Sequence, residues 1–150
     1  LQQCDVSKPF VVTDRNLEAL TRSVLDSNDI NGEVYADEVD EPTSDRVNAM
    51  AAALSSSNAD GVVAIGGGSP LDAAKLAVVL SENGGNCRDY KAPVLTDTPP
   101  TLPMVAVPTT AGTGAEVTRY AVVTDSESGE KMLCAGAAFV PAACVVGGSA

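Results

Sequence analysis

The sequence predicts an α/β fold, a parallel sheet flanked by helices with a β-hairpin near the C-terminal end. Three observations carry this. Short apolar runs alternate with amphipathic segments from Phe10 to Val107. A glycine run, Gly66 to Gly68, joins one apolar run directly to a helix-forming segment. After Glu116 the alternation stops, and two short runs flank Asp125-Ser126-Glu127-Ser128-Gly129-Glu130, a turn sequence.

The elements follow in order. Phe10-Val11-Val12 reads as a strand ending in Thr13-Asp14. Asn16 to Leu25 reads as a helix with Leu17, Leu20, Val24 and Leu25 on one face, the 3.6-residue period of an amphipathic segment. Glu33 to Ala36 is a short strand. Thr43 to Ser56 is a second helix, capped by Thr43 or Ser44, with Val47, Met50, Ala51 and Leu54 inward. Asn58-Ala59-Asp60-Gly61 stops it. Gly61 to Ile65 is a buried strand, and Pro70 to Leu80 a third helix ended by Asn83-Gly84-Gly85-Asn86. Met104 to Val107 is the next strand. Strands alternating with helices imply parallel pairing through right-handed crossovers, a Rossmann-like arrangement. Lys91 to Pro103 holds four prolines and reads as an extended surface connection. Tyr120 to Thr124 and Lys131 to Ala135 form the hairpin. Ala143 to Val146 is a last strand. Residues 1–146 are read as one domain and 147–150 as a linker or engineered tail, and the absence of an initial methionine also suggests a fragment.

Composition bounds the partners. At 150 residues the chain can bury a real core, and with aromatics at 3% that core must be built from Ala, Val, Leu and Ile. The net charge of −11, with no Lys/Arg cluster, repels a nucleic acid backbone. It does not exclude a dinucleotide, whose pyrophosphate is neutralised locally by a few aimed amides. No apolar run reaches the ~20 residues of a membrane span. Cys4, Cys87, Cys134 and Cys144 show no C-x-x-C spacing, so they read as reduced thiols of a cytoplasmic protein.

Two loops carry the chemistry. In Gly66-Gly67-Gly68-Ser69-Pro70-Leu71-Asp72-Ala73-Ala74-Lys75, Ser69 reads as the N-cap and Pro70 as the first helical residue. Asp72 then completes a capping box. Gly67 and Gly68 lack a Cβ, so an anion can approach their amides, and the helix N-terminus adds partial positive charge. Lys75 is expected to point along the helix. Neither the P-loop pattern nor G-x-G-x-x-G is present. A glycine turn that merely starts a helix is the competing reading. The second loop, Pro108-Thr109-Thr110-Ala111-Gly112-Thr113-Gly114-Ala115-Glu116, offers Thr109, Thr110 and Thr113 as hydroxyl donors. Alone it reads as a turn, with Thr113 capping a helix near Ala115. Beside the first loop it becomes the second wall of a cofactor cleft. Asp14 either accepts from ribose hydroxyls or caps the following helix.

These residues, in this order, resemble the N-terminal nucleotide-binding domain of the iron-containing, group III, alcohol dehydrogenases, from Val12-Thr13-Asp14 to Val146. Glycerol dehydrogenases and dehydroquinate synthases use a different second loop. The resemblance implies an NAD(P)-dependent oxidoreductase acting on small alcohols or aldehydes. It implies cofactor contacts at Asp14, Gly67, Gly68, Ser69, Thr109, Thr110, Thr113, Val122 and Lys131. It implies NAD rather than NADP, through Asp14. Where many relatives carry Asn-Pro-Thr, this chain has Glu41-Pro42-Thr43, which adds negative charge beside the ribose. Family members continue into a helical domain whose Asp and His residues hold iron or zinc. The sequence is read as stopping short of that domain, it contains no histidine, and no catalytic residue or metal ligand is assigned. Two readings remain: the cofactor half of a metal-dependent dehydrogenase, inactive on its own, or a stand-alone nucleotide-binding or assembly module. An apolar face left by the missing domain would favour self-association.

Overall fold

A computed structural model describes residues 1–37 and 40–147, so Gly148, Ser149 and Ala150 of the expected tail lie outside the described residues. Five parallel strands form the sheet: β1 (Pro9–Asp14), β2 (Glu33–Asp37), β3 (Gly61–Gly66), β4 (Met104–Pro108) and β7 (Ala143–Cys144). Their order is β2-β1-β3-β4-β7. The chain runs outward from β1 to β2, then returns to the other side of β1 for β3. The winding direction therefore reverses between β1 and β3, and in open α/β sheets ligands settle in the crevice at that reversal.

Three α-helices cover the sheet: α1 (Glu18–Ser27), α2 (Ser44–Ser56) and α3 (Gly68–Asn83). Strand residues alternate between faces. Phe10, Val12, Val62, Ala64, Met104 and Ala106 meet α2 and α3 in the main core. Val11, Val63 and Val105 form the opposite face, packed with Leu25 of α1 and Val34. Small side chains at Ala64, Ala106, Ala73, Ala74 and Ala77, all buried, let α3 lie close on the strands. This is the interior that scarce aromatics demanded.

The first helix departs from expectation. Arg15–Leu17 is a 3-10 turn before α1, and only Thr21 of α1 is buried. Leu20 and Val24, expected inward, are 63% and 51% exposed. The helix touches the sheet through Leu25 and through Thr21, whose hydroxyl lies 3.4 Å from that of Thr13, rather than through Leu20 and Val24. Periodicity found the helix but not the side that packs. In α2 the predicted inward residues are all buried, but neither Thr43 nor Ser44 caps in the expected way. Asp45 N instead donates to Ser126 Oγ at 3.1 Å, a cap delivered from 81 residues away. The last strand is shorter than expected, although Val145 N still bonds Ala106 O at 2.8 Å.

The hairpin, β5 (Tyr120–Thr124) and β6 (Lys131–Ala135), forms where the sequence placed it, with Tyr120 opposite Ala135. The proline-rich connection lies at the surface, as expected, and is also hydrogen-bonded there. It runs along β6, with Ala92 N on Leu133 O at 2.8 Å and Thr96 N on Ala135 O at 3.0 Å. The hairpin turn is anchored by Asp125, 5% exposed, which accepts from Arg88 and from Ser128. The Arg88 guanidinium, then Ser128, hold its carboxyl well below the usual carboxylate range. A depressed carboxylate stabilises above its unfolded pKa of about 3.9 and loses that contribution as pH falls toward the folded value. Asp125→Asn is therefore expected to be less stable than wild type at pH 7, with the difference shrinking below about pH 4. Urea midpoints measured at both pH values check this, and parallel curves would refute it.

Candidate functional site

β3 and β4 end level with each other, Gly66 opposite Pro108, so the two loops leave the same sheet edge side by side. Thr109 N extends the ladder by one bond to Gly66 O at 2.9 Å. Beyond that point the loops touch. A Cβ on Gly67 would lie 3.3 Å from Thr110 Oγ1, and one on Gly68 3.1 Å from Thr113 Cγ2. Glycine there makes room both for the second loop and for a ligand above the amides.

The helix start differs from the sequence reading. Gly67 is the N-cap and Gly68 opens α3, with Leu71 N bonded to Gly67 O. Ser69 is not the N-cap. Its hydroxyl donates to Asp40 O at 3.4 Å. Pro70 sits two residues further in than expected, still within the first turn, where its missing N–H costs nothing. Asp72 forms no capping box, since its Oδ2 accepts from Val122 N at 3.0 Å. The main-chain amides of the first turn therefore have no side-chain cap, and they stand at the positive end of a 16-residue helix.

Two clefts meet at this helix start. One, of about 370 Å³, is lined by Asp14, Gly66, Gly67, Thr109 and Thr110 among others. The second, of about 650 Å³, is lined by Thr113, Thr118, Tyr120, Val122, Lys131 and Leu133 among others. Gly68 and Ser69 line both. The nine predicted residues thus line one or the other of two adjacent lobes that share Gly68 and Ser69, with the glycine loop between them. Asp14 does cap: its Oδ1 accepts from Asn16 N at 2.9 Å. It does so from the wall of the first cleft. Thr113 Oγ1 accepts from Ala115 N at 3.4 Å, but no helix follows. The chain makes a single turn closed by Thr118 N on Gly114 O.

Lys131 lies at the mouth of the larger lobe and pairs with Glu41 Oε1 at 3.1 Å. Thr124 Oγ1 donates to the same oxygen at 2.7 Å. The Thr124 hydroxyl first, then Lys131, hold the Glu41 carboxyl below its ordinary range. The charge that Glu41 adds is therefore balanced in place by Lys131.

Sequence reasoning missed the buried polar pair on α3. Lys75, expected to point along the helix, is drawn to Thr118 O and Tyr120 O. Its side chain is 1% exposed and its ammonium lies 3.6 Å from Asp72. Burial pushes the Lys75 ammonium down and the Asp72 carboxyl up. The signal was there in Leu71-Asp72-Ala73-Ala74-Lys75-Leu76-Ala77-Val78-Val79, a lysine flanked by small and apolar residues on every side. Burial pushes the Cys87 thiol up to about 12 and that of Cys134 up to about 11, so neither is a ready thiolate. Among the described residues no group of three or more His, Cys, Asp or Glu side chains is placed to hold a metal ion.

Comparison with known proteins gives four matches of note. A family model described as "Iron-containing alcohol dehydrogenase" matches residues 1–147. Alcohol dehydrogenase 4 of Saccharomyces cerevisiae is 34% identical over 146 residues, which cover 94% of this chain and 38% of the yeast protein. The NAD-dependent methanol dehydrogenase of Bacillus methanolicus is 32% identical over 152 residues, covering 97% of this chain and 39% of that protein. Among solved structures, sulfoacetaldehyde reductase from Bifidobacterium kashiwanohense in complex with NAD+ superposes with a TM-score of 0.86 at 29% identity, over 97% of this chain and 39% of that one. The chain thus spans about 38% of the length of the yeast relative.

Proposed function

The chain belongs to the iron-containing alcohol dehydrogenase family, and on that premise we propose that it forms the dinucleotide-binding part of a metal-dependent oxidoreductase. The reaction is hydride transfer between a small alcohol or aldehyde and a nicotinamide, with NAD preferred over NADP. The observation that carries this is the two-lobed recess. A ligand with a diphosphate between two nucleosides fits a ridge of uncapped amides flanked by a lobe on each side. Lobes of about 370 and 650 Å³ are within the size range of cofactor sites.

Gly67, Gly68 and Ser69 hold the diphosphate through main-chain N–H groups and the helix dipole. Thr109, Thr110 and Thr113 supply hydroxyls from the facing loop. Asp14 accepts from ribose hydroxyls and repels a 2′-phosphate. Val122 and Lys131 border the other lobe. The bound nicotinamide would supply the hydride chemistry, and this chain binds and orients it. The residues present do not fit the family's metal, since the chain has no histidine and no ligand cluster is placed among the described residues. No catalytic step through a metal is therefore assigned to this chain, and alone it is expected to be inactive.

Calorimetric titration of the chain with NAD+ and NADP+ tests the reading. Saturable NAD+ binding is expected, with NADP+ weaker by roughly tenfold, about 1.4 kcal/mol. Asp14→Asn should narrow that gap. Binding of neither dinucleotide would sink the proposal.

A further inference from the structure

Residues 40–43 form a strap along one side of the larger lobe. Ser69 Oγ donates to Asp40 O at 3.4 Å, which ties the strap to the glycine loop. Thr124 N donates to Pro42 O at 2.8 Å, and Thr43 bridges Thr124 in parallel, which ties its other end to β5. Between those ties the Glu41 carboxylate accepts from Thr124 Oγ1 at 2.7 Å and pairs with Lys131 Nζ at 3.1 Å. The strap therefore fixes a carboxylate at the lobe wall, and the Thr124 hydroxyl and then Lys131 keep it ionised.

Four charged side chains line this lobe among the described residues: Asp40, Glu41, Asp72 and Lys131. Asp72 is matched by the Lys75 ammonium, 3.6 Å away. Lys131 matches Glu41, and Asp40 adds a further carboxylate. The wall thus carries more negative than positive charge.

On the dinucleotide reading, Asp14 sits with the ribose that a 2′-phosphate would modify, which leaves the larger lobe to the nicotinamide half. The two redox forms of that half differ in charge. The oxidised ring is a cation and the reduced ring is neutral. The diphosphate and both riboses are common to the two forms, so whatever Glu41 does to them cancels from the ratio of the two affinities. What remains is the attraction of a fixed carboxylate for a cationic ring.

We propose that Glu41 is a specificity-determining residue that favours the oxidised over the reduced dinucleotide, with Lys131 opposing it. This rests on the dinucleotide reading above. The Glu41 and Lys131 side chains are 50% and 72% exposed, so water screens the effect, and both can be replaced without opening the core.

The test is calorimetric titration of the whole chain with NAD+ and with NADH, for wild type, Glu41→Gln and Lys131→Met, in salt of about 0.01 M and about 0.5 M. Glu41→Gln keeps an acceptor for the Thr124 hydroxyl and loses the charge. It should lower the ratio of the NADH to the NAD+ dissociation constant by roughly threefold at low salt, the scale of a unit charge acting across a wet lobe. Lys131→Met should raise the same ratio by a similar factor, even where it weakens both forms. At the higher salt each shift should shrink to less than about 1.5-fold. A role in the shape of the lobe alone would move both dissociation constants together and leave their ratio. A ratio unchanged in Glu41→Gln at low salt, shifts of the same sign in the two variants, or a shift that salt does not diminish overturns the inference and leaves the cofactor reading intact. If wild type binds neither form, the cofactor reading falls and this inference with it.

Discussion

Alanine at Gly136 is expected to destabilise the chain by about 3–5 kcal/mol, among the largest effects of any single methyl group in the fold. Gly136 ends β6 with φ +142°, a region that L side chains rarely adopt. Space is as restrictive as conformation. A Cβ there would lie 2.1 Å from Thr96 O, 2.5 Å from Thr96 C and 2.7 Å from Thr96 N. All three are backbone atoms, so no rotamer change relieves the clash. The proline-rich connection would have to lift from β6. Thr96 N on Ala135 O and Ala138 N on Thr96 O, both 3.0 Å, would break with it. Each such bond is worth about 0.5–1.5 kcal/mol net. A fall in melting temperature of roughly 10 °C is the expected readout. A melting curve that overlays wild type would refute the close crossing of connection and strand.

Aspartate at Gly68 should do the reverse: leave the fold standing and abolish dinucleotide binding. Gly68 is the first residue of α3 and carries no side-chain cap. A carboxylate there interacts favourably with the helix dipole, worth about 0.3–1 kcal/mol. The added Cβ meets Thr113 Cγ2 at 3.1 Å, a side-chain methyl that can give way. The new charge then occupies the amides that the diphosphate would use. Loss of NAD+ affinity by roughly a hundredfold or more, about 2.7 kcal/mol, is expected at an unchanged melting temperature. Undiminished NAD+ binding by the variant would show that the dinucleotide does not cross this loop.

Much of the architecture was legible because it depends on local pattern. Apolar β-branched runs at Val11-Val12 and Val62-Val63 specify buried strands, and they pair in parallel as the alternation with helices requires. Gly84, at φ +72°, ends α3 where the glycine pair predicted. The hairpin register follows from its turn. Helix starts were less legible. Ser69 has the right chemistry for a cap, yet the helix begins one residue before it, because Gly67 takes the cap position at the end of β3. The outward face of α1 was not legible either. Leu20 and Val24 satisfy the helical period, but which stripe packs depends on where the helix axis lies over the sheet.

What the sequence determined by itself is the two loops and the order in which they reach the sheet edge. Strand order and the right-handed crossover then bring that edge together without further information. What only the tertiary structure decided is the pairing of charges across it. Lys131 meets Glu41, Arg88 meets Asp125, and Lys75 with Asp72 closes the edge of β5. Each pair joins groups whose backbones are placed by different elements, or whose common target lies more than forty residues away, as Tyr120 does from Lys75. Such contacts have no period and no fixed spacing. A buried lysine is tolerated only where acceptors surround it, and those acceptors exist only once the hairpin has docked on α3.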